Sequence, residues 1–265
     1  MVQMSNYGET YTGVRATPEL VGRKDIIAKI NEAICDAPRA YIIYIVGEGG
    51  IGKTRLVRYV LEHCSEGVKV LRASDLIDLY HTSTRTVVGL MDSIQRNFSL
   101  DGDEFSQYRK IQRQLEESRF RGTGSSASES DELYAAFFDD LTELARKRRL
   151  VLVLDTVEKL SYQEDLVAQQ LGLTEERSDL LNWLITEFFP KITNAVVLLS
   201  GRPTRDNLEE VLSRLPADKQ FLSFTLHGLA ESEALDYFDA VIRGAEKSDI
   251  PADVEMASAL RKWPM

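Results

Sequence analysis

The stretch YIIYIVGEGGIGKTRLVRYVLEH, Tyr41 to His63, decides the fold. Its first six residues are apolar, β-branched or aromatic without a break, and they are bounded by Pro38 and a glycine cluster, so they read as a strand buried on both faces. The next eight, Gly47-Glu48-Gly49-Gly50-Ile51-Gly52-Lys53-Thr54, fit G-x-x-x-x-G-K-[ST], and Arg55 to His63 carries a helical pattern. Glycines let consecutive main-chain N–H groups turn toward one anion, and the start of the following helix adds partial positive charge. Lys53 supplies a point charge for β- and γ-phosphates, and the Thr54 hydroxyl is a hard oxygen donor suited to Mg²⁺. A plain glycine turn between strand and helix would match the letters too. The strand, loop, helix setting is what argues for a phosphate cradle.

Working outward, four further apolar runs follow: Val68 to Ala73, Leu150 to Leu154, Ala195 to Leu199 and Phe221 to Leu226. Helical patterns separate them, an alternation that predicts an α/β fold with a parallel sheet covered on both faces. In the helix before the third run, Leu133, Phe137, Leu141, Leu144 and Ala145 recur at helical spacing. Arg146 to Arg149 close that helix and read as solvated cations suited to its dipole, not as a nucleic-acid patch. Gly122 to Asp131, GTGSSASESD, holds no core-forming residue and reads as a mobile loop. Trp183, with Leu180, Leu181, Leu184 and Phe188, reads as core.

Asp155 ends the LVLVL run and would emerge at the carboxyl edge of the sheet, where parallel sheets bind ligands. A carboxylate there can hold the Mg²⁺ shell, and a turn-favouring residue after a strand is the plain alternative. Glu158 is the nearest carboxylate able to orient or deprotonate a water, and equally a solvated helix start. Arg202, in Ser200-Gly201-Arg202-Pro203, could reach a γ-phosphate or simply decorate the surface. Leu20-Val21-Gly22-Arg23 precedes an amphipathic helix, Asp25 to Ile34, and could floor a base pocket or serve packing alone. His63, His81 and His227 share no ligand spacing.

A chain of 265 residues with 43% hydrophobic content can bury a large core. A net charge of -10 speaks against direct nucleic-acid binding, which needs surplus Lys and Arg on one surface. Two cysteines, Cys35 and Cys64, imply reduced thiols in a reducing compartment. The polar opening residues and the lack of any run near ~18 apolar residues predict a cytoplasmic protein without membrane association. Arg261 to Met265 follow directly on a helical pattern, which suggests a portion of something longer.

The ordered set LVGRKD, GEGGIGKT, LVLVLDTVE, VVLLSGRP and LHGLAESEALDYF resembles the STAND class of signal-transduction ATPases, relatives of AAA+ and NB-ARC proteins, over about Pro18 to Phe238. The resemblance implies a three-layer ATP-binding core with a five-stranded sheet in the order 5-1-4-3-2, spanning residues 18–228. Residues 1–17 would form an N-terminal extension, and 229–265 the start of a small helical lid. It implies ATP or ADP as ligand with Mg²⁺, and nucleotide state controlling self-association and signalling in response to a protein or peptide trigger. By position, Val21, Gly22 and Arg23 would lie near adenine or phosphates, and Gly47 to Thr54, together with Arg55, would surround the phosphates. Arg202 would be the sensor arginine and Asp155 the Mg²⁺ acid. Lys53, Asp155, Glu158 and Arg202 are thus the expected catalytic group, and Thr54 and Asp155 the expected metal ligands. Thr156 stands where the common double-acid pattern has its second carboxylate, which implies slow hydrolysis with Glu158 as base. The competing expectations are an origin-recognition or clamp-loader-like ATPase acting on DNA, and a nucleotide-binding pseudoenzyme.

Overall fold

Uninterrupted apolar runs become the strands of one parallel sheet. The computed structural model describes residues 20–64, 70–99, 102–120, 127–160, 180–204, 208–246 and 258. Its strands are β1 (Ala40–Gly47), β2 (Val70–Arg72), β3 (Ile77–Asp78), β4 (Arg149–Asp155), β5 (Ala195–Gly201) and β6 (Lys219–Leu226). They lie in the order β2-β4-β5-β1-β6, with β3 pairing to β4 off that path, and all pairs are parallel. With β3 set aside, the five expected runs stand in the expected order 5-1-4-3-2. The sheet has six strands instead of five because a two-residue strand is too short to show a period of its own.

Register brings the functional ends level. Val46 lies opposite Gly201, Asp155 opposite Ser200, and Asp78 opposite Asp155, so four strands finish along one edge. Every residue of β4 and β5 is buried, as central parallel strands covered on both sides require.

The helices are α1 (Lys24–Cys35), α2 (Lys53–His63), α3 (Val87–Phe98), α4 (Ser106–Phe120), α5 (Ala127–Lys147), α6 (residues 180–191), α7 (Leu208–Ser213) and α8 (Glu231–Glu246). One sheet face, carrying Ile42, Tyr44, Leu152, Leu154, Val197 and Leu199, packs with α3, α5 and α6 in a single cluster that includes Phe137 and Phe188. The alternate residues, such as Ile43, Ile45, Val151 and Val153, are equally buried. Helix α2, which packs against β1, β4 and β5, covers them with Leu56, Val57 and Val60. Trp183 stacks on Phe188 at 5.5 Å, the core role read from its spacing.

Two expectations are corrected. Arg149 is not part of a solvated cluster: it opens β4 and is 1% exposed. Its guanidinium donates to the carbonyls of Ala33 (2.6 Å) and Ile34 (3.1 Å), to that of Arg39, and to Asn194 Oδ1 (3.3 Å). Ala33 and Ile34 lie in the last turn of α1, whose carbonyls lack partners within the helix, so Arg149 caps α1 with a buried fork. Burial pulls its pKa down, against the raising influence of Asp36 and Tyr41. The second correction concerns the polar stretch Gly122 to Asp131, of which residues 127–131 open α5. Ser, Asp and Glu suit the first turns of a helix, so low hydrophobicity there marked a helix start and not a loop. Residues 122–126 lie outside the described set.

By contact the chain divides into two units, Asp25–His227 and the remainder. In the second unit, Glu233 Oε2 accepts from the Ala230 main-chain N–H at 2.9 Å, half of a capping box that starts α8. Among the described residues no helix is long and apolar enough to cross a membrane.

Candidate functional site

Asp155 is the best-anchored carboxylate at the sheet edge. Its Oδ1 accepts from Ser200 Oγ at 2.7 Å and from the Thr156 N–H at 3.0 Å, while Oδ2 accepts from Thr54 Oγ1 at 2.7 Å. The residue is 6% exposed. Because the Thr54 hydroxyl gives its one proton to Asp155, its lone pairs stay available to a cation. One hydroxyl and one carboxylate beside a phosphate loop fit Mg²⁺, which binds through one or two carboxylates plus substrate oxygens and water. Among the described residues no group of three or more His, Cys, Asp or Glu offers a complete metal cage.

The loop from Gly47 to Thr54 folds as its glycines permit. Gly50 (φ 78°) and Gly52 (φ 94°) both adopt left-handed backbone with open space around them, and Gly52 caps α2 without any side-chain bond to its first N–H groups. Those donors are therefore free of side-chain capping and can face an anion. Lys53 Nζ donates to the carbonyls of Gly47 and Glu48, each at 2.8 Å, so the ammonium already spans the loop. Burial most of all pulls its pKa below the ordinary lysine value, opposed chiefly by Glu158 and also by Asp155. Glu48, Gly49 and Thr54 are exposed, while Ile51, Lys53 and Arg55 are half-buried.

Glu158 is not a solvated helix start. It sits in a 3-10 turn, Val157–Leu160, and is 7% exposed. Its Oε2 accepts from the Arg202 main-chain N–H at 3.1 Å, and Oε1 stands 3.7 Å from Arg202 Nε. The seat depends on Gly201, where a Cβ would come within 2.9 Å of Glu158 Oε2 and 2.7 Å of Val157 Cγ2. The Arg202 guanidinium reaches back over the phosphate loop, since a Cβ on Gly49 would lie 3.0 Å from its Nη2. Tyr44, buried in β1, donates its hydroxyl to the Arg202 carbonyl at 3.1 Å. Burial, then Glu158 and Glu209, push that phenol up to about 12, so it stays a donor.

Lys53, Thr54, Asp155, Glu158 and Arg202 are thus gathered at one edge. Val21, Gly22 and Arg23 belong to the second unit, where Gly22 (φ 71°) and Arg23 (φ 74°) form a left-handed bend and a Cβ on Gly22 would meet Glu233 and Leu229 at 3.0 Å. Sequence reasoning missed two participants. Ser200 was legible only as part of a strand end, although a hydroxyl opposite Asp155 is what fixes that carboxylate. Asp78 was hidden by the brevity of β3; the alternation in Ile77-Asp78-Leu79 was the available signal.

No curated protein matches the chain. Among solved structures, a chain of the Drosophila ORC bound to DNA is similar at a TM-score of 0.51 and 16% identity, covering 90% of this chain and 50% of that one. A chain from the E. coli MS115-1 HORMA:CdnC:Trip13 complex aligns at a TM-score of 0.33 and 13% identity, covering 90% and 73%. The present chain spans half the length of the ORC chain it matches. The family described as AAA ATPase domain matches residues 19–187, more than half of the sequence, and holds the phosphate loop, Asp155 and Glu158 within that span. A glycine loop on a helix N-terminus, a hydroxyl-carboxylate pair for a cation and a parallel sheet to carry them are what such a domain needs, and the chain belongs to the AAA ATPase domain family.

Proposed function

We propose that the chain is an ATP-binding, slowly hydrolysing switch of the STAND type that controls self-association of a larger multidomain protein. The observation that carries this reading is the double hold of Arg202 on Glu158 while its guanidinium lies against Gly49 of the loop. A γ-phosphate is a stronger partner for a guanidinium than one carboxylate oxygen at 3.7 Å. ATP therefore draws Arg202 toward phosphate and frees Glu158, whereas ADP leaves the pair closed. Such differential contact is what lets a ligand shift a conformational equilibrium.

Thr54 and Asp155 would hold Mg²⁺, which would supply charge neutralisation for the phosphates. The loop N–H groups and Lys53 orient the triphosphate. Glu158, once released, accepts a proton from the attacking water, and Arg202 stabilises charge on the transferred group. With Glu158 restrained at rest, turnover is slow. A protein or peptide trigger acting through segments outside this chain would set the rate.

Light scattering of the intact-length protein with ATP, ADP or no nucleotide tests the switch, and a size indifferent to nucleotide overturns it. Lys53→Ala should weaken ATP binding roughly 10- to 100-fold, the worth of a charged hydrogen bond. A second reading, action on DNA, has the likeness to the ORC chain in its favour and the charge of -10 against it. Salt-sensitive binding to duplex DNA would select that reading.

A further inference from the structure

Beside Asp155 lies a second pair that the scheme above does not use. Thr156 Oγ1 donates to Asp78 Oδ1 at 2.7 Å, and the same carboxylate oxygen accepts from the Tyr80 N–H at 2.8 Å. Asp78 is carried by β3, directly opposite Asp155, and the Leu79 N–H donates to the Asp155 carbonyl at 3.0 Å. The carboxylate is therefore placed by the sheet itself. Thr156 adopts φ 61°, a conformation that costs a β-branched residue about 1–3 kcal/mol. The bend at Thr156 is closed by the Lys159 N–H on the Thr156 carbonyl at 3.0 Å, and from it the chain turns to seat Glu158. Both Thr156 and Asp78 are half-buried at the sheet edge.

A hydroxyl has one proton and two lone pairs. Since Thr156 gives its proton to Asp78, toward the site it can only accept. An attacking water has two hydrogens, and both must be taken by acceptors if a lone pair is to point along the line of attack. Glu158 can take one. We infer that the Thr156 hydroxyl, held as an obligate acceptor by Asp78, takes the other, with Asp78 as the positioning residue. The inference rests on the hydrolytic reading of the site. No proton leaves the pair in this step: the water hydrogen facing Thr156 is only oriented, and the one facing Glu158 is transferred as the oxygen–phosphorus bond forms and the bond to the leaving ADP oxygen breaks.

The test is phosphate release and ATP binding by this chain as wild type and as Thr156→Val, Thr156→Ser, Asp78→Ala, Asp78→Asn and Glu158→Gln, with thermal unfolding of each recorded. Thr156→Val and Asp78→Ala should lower kcat about 10- to 100-fold with KM for ATP within about threefold, the size of loss expected from misplacing a reactant. Thr156→Ser and Asp78→Asn, which keep the hydroxyl and the acceptor oxygen, should restore turnover. The double variant Thr156→Val with Asp78→Ala should be no worse than the poorer single variant. Unchanged kcat in Thr156→Val, with turnover lost in Glu158→Gln, overturns this inference alone. Failure of Thr156→Ser to restore turnover while it melts like wild type also overturns it. A wild-type chain that binds ATP and releases no phosphate overturns the hydrolytic reading and this inference together.

Discussion

Glu158 and Arg202 are joined twice, through a main-chain N–H at 3.1 Å and a guanidinium nitrogen at 3.7 Å, across the ends of β4 and β5. One bond is made by backbone and cannot be withdrawn without moving the strand. The other belongs to a side chain about 60% exposed, which is free to turn. The pair is thus fixed at one oxygen and adjustable at the other.

Removal of the charge from Glu158 separates binding from chemistry. Glu158→Gln should bind ATP as wild type does and lower phosphate release by ~100-fold or more, the usual worth of a positioned general base. Single-turnover measurement with radiolabelled ATP reads both quantities, and normal turnover would remove Glu158 from the role of base.

Shortening Arg202 should blur the distinction between the two nucleotides. Arg202→Ala is expected to weaken ATP roughly 10- to 100-fold while changing ADP affinity little, since a charge-assisted bond to the γ-phosphate alone is lost. Calorimetric titration with each nucleotide checks this, and an equal loss for both would contradict it.

Gly201 tests the seat itself. A methyl group there would press on Glu158 Oε2 and Val157 Cγ2, so Gly201→Ala should destabilise by about 1–3 kcal/mol and reduce turnover more than ATP binding. Urea denaturation paired with an ATPase assay distinguishes this from a benign change.

Arg149 lies at the other end of the same sheet. Arg149→Ala removes the guanidinium from the carbonyls of Ala33, Ile34 and Arg39, of which Ala33 keeps the Asp36 N–H at 3.3 Å, and should cost about 1–3 kcal/mol for each carbonyl left unpaired, read by urea denaturation. Arg149→Lys should recover only part of this, because an ammonium cannot reproduce the fork.

Much of the fold was legible because it depends on patterns that span whole elements. YIIYIV and LVLVL announce strands covered on both sides, and Leu133, Phe137 and Leu141 announce the face of α5 turned to the core. The phosphate loop was legible because its chemistry is local in sequence. What escaped depends on register: Asp78, Ser200 and the burial of Glu158 exist only once β3, β4 and β5 are aligned. Arg149 escaped for a related reason, since its partners lie more than a hundred residues away in α1. Adjacent cations in sequence said nothing about which of them would turn inward.

The level ends of β1, β3, β4 and β5 also make strand length a measuring device. Each residue added to a strand advances its end by roughly 3.3 Å and exchanges its two faces. An insertion within β4 would carry Asp155 off the Thr54 hydroxyl, and one within β5 would carry Ser200 off Asp155, each turning core side chains outward in the same event, while equal changes in connecting segments other than the phosphate loop would leave those distances intact. Tolerance to length change is thus confined by geometry to the stretches between strands outside the phosphate loop.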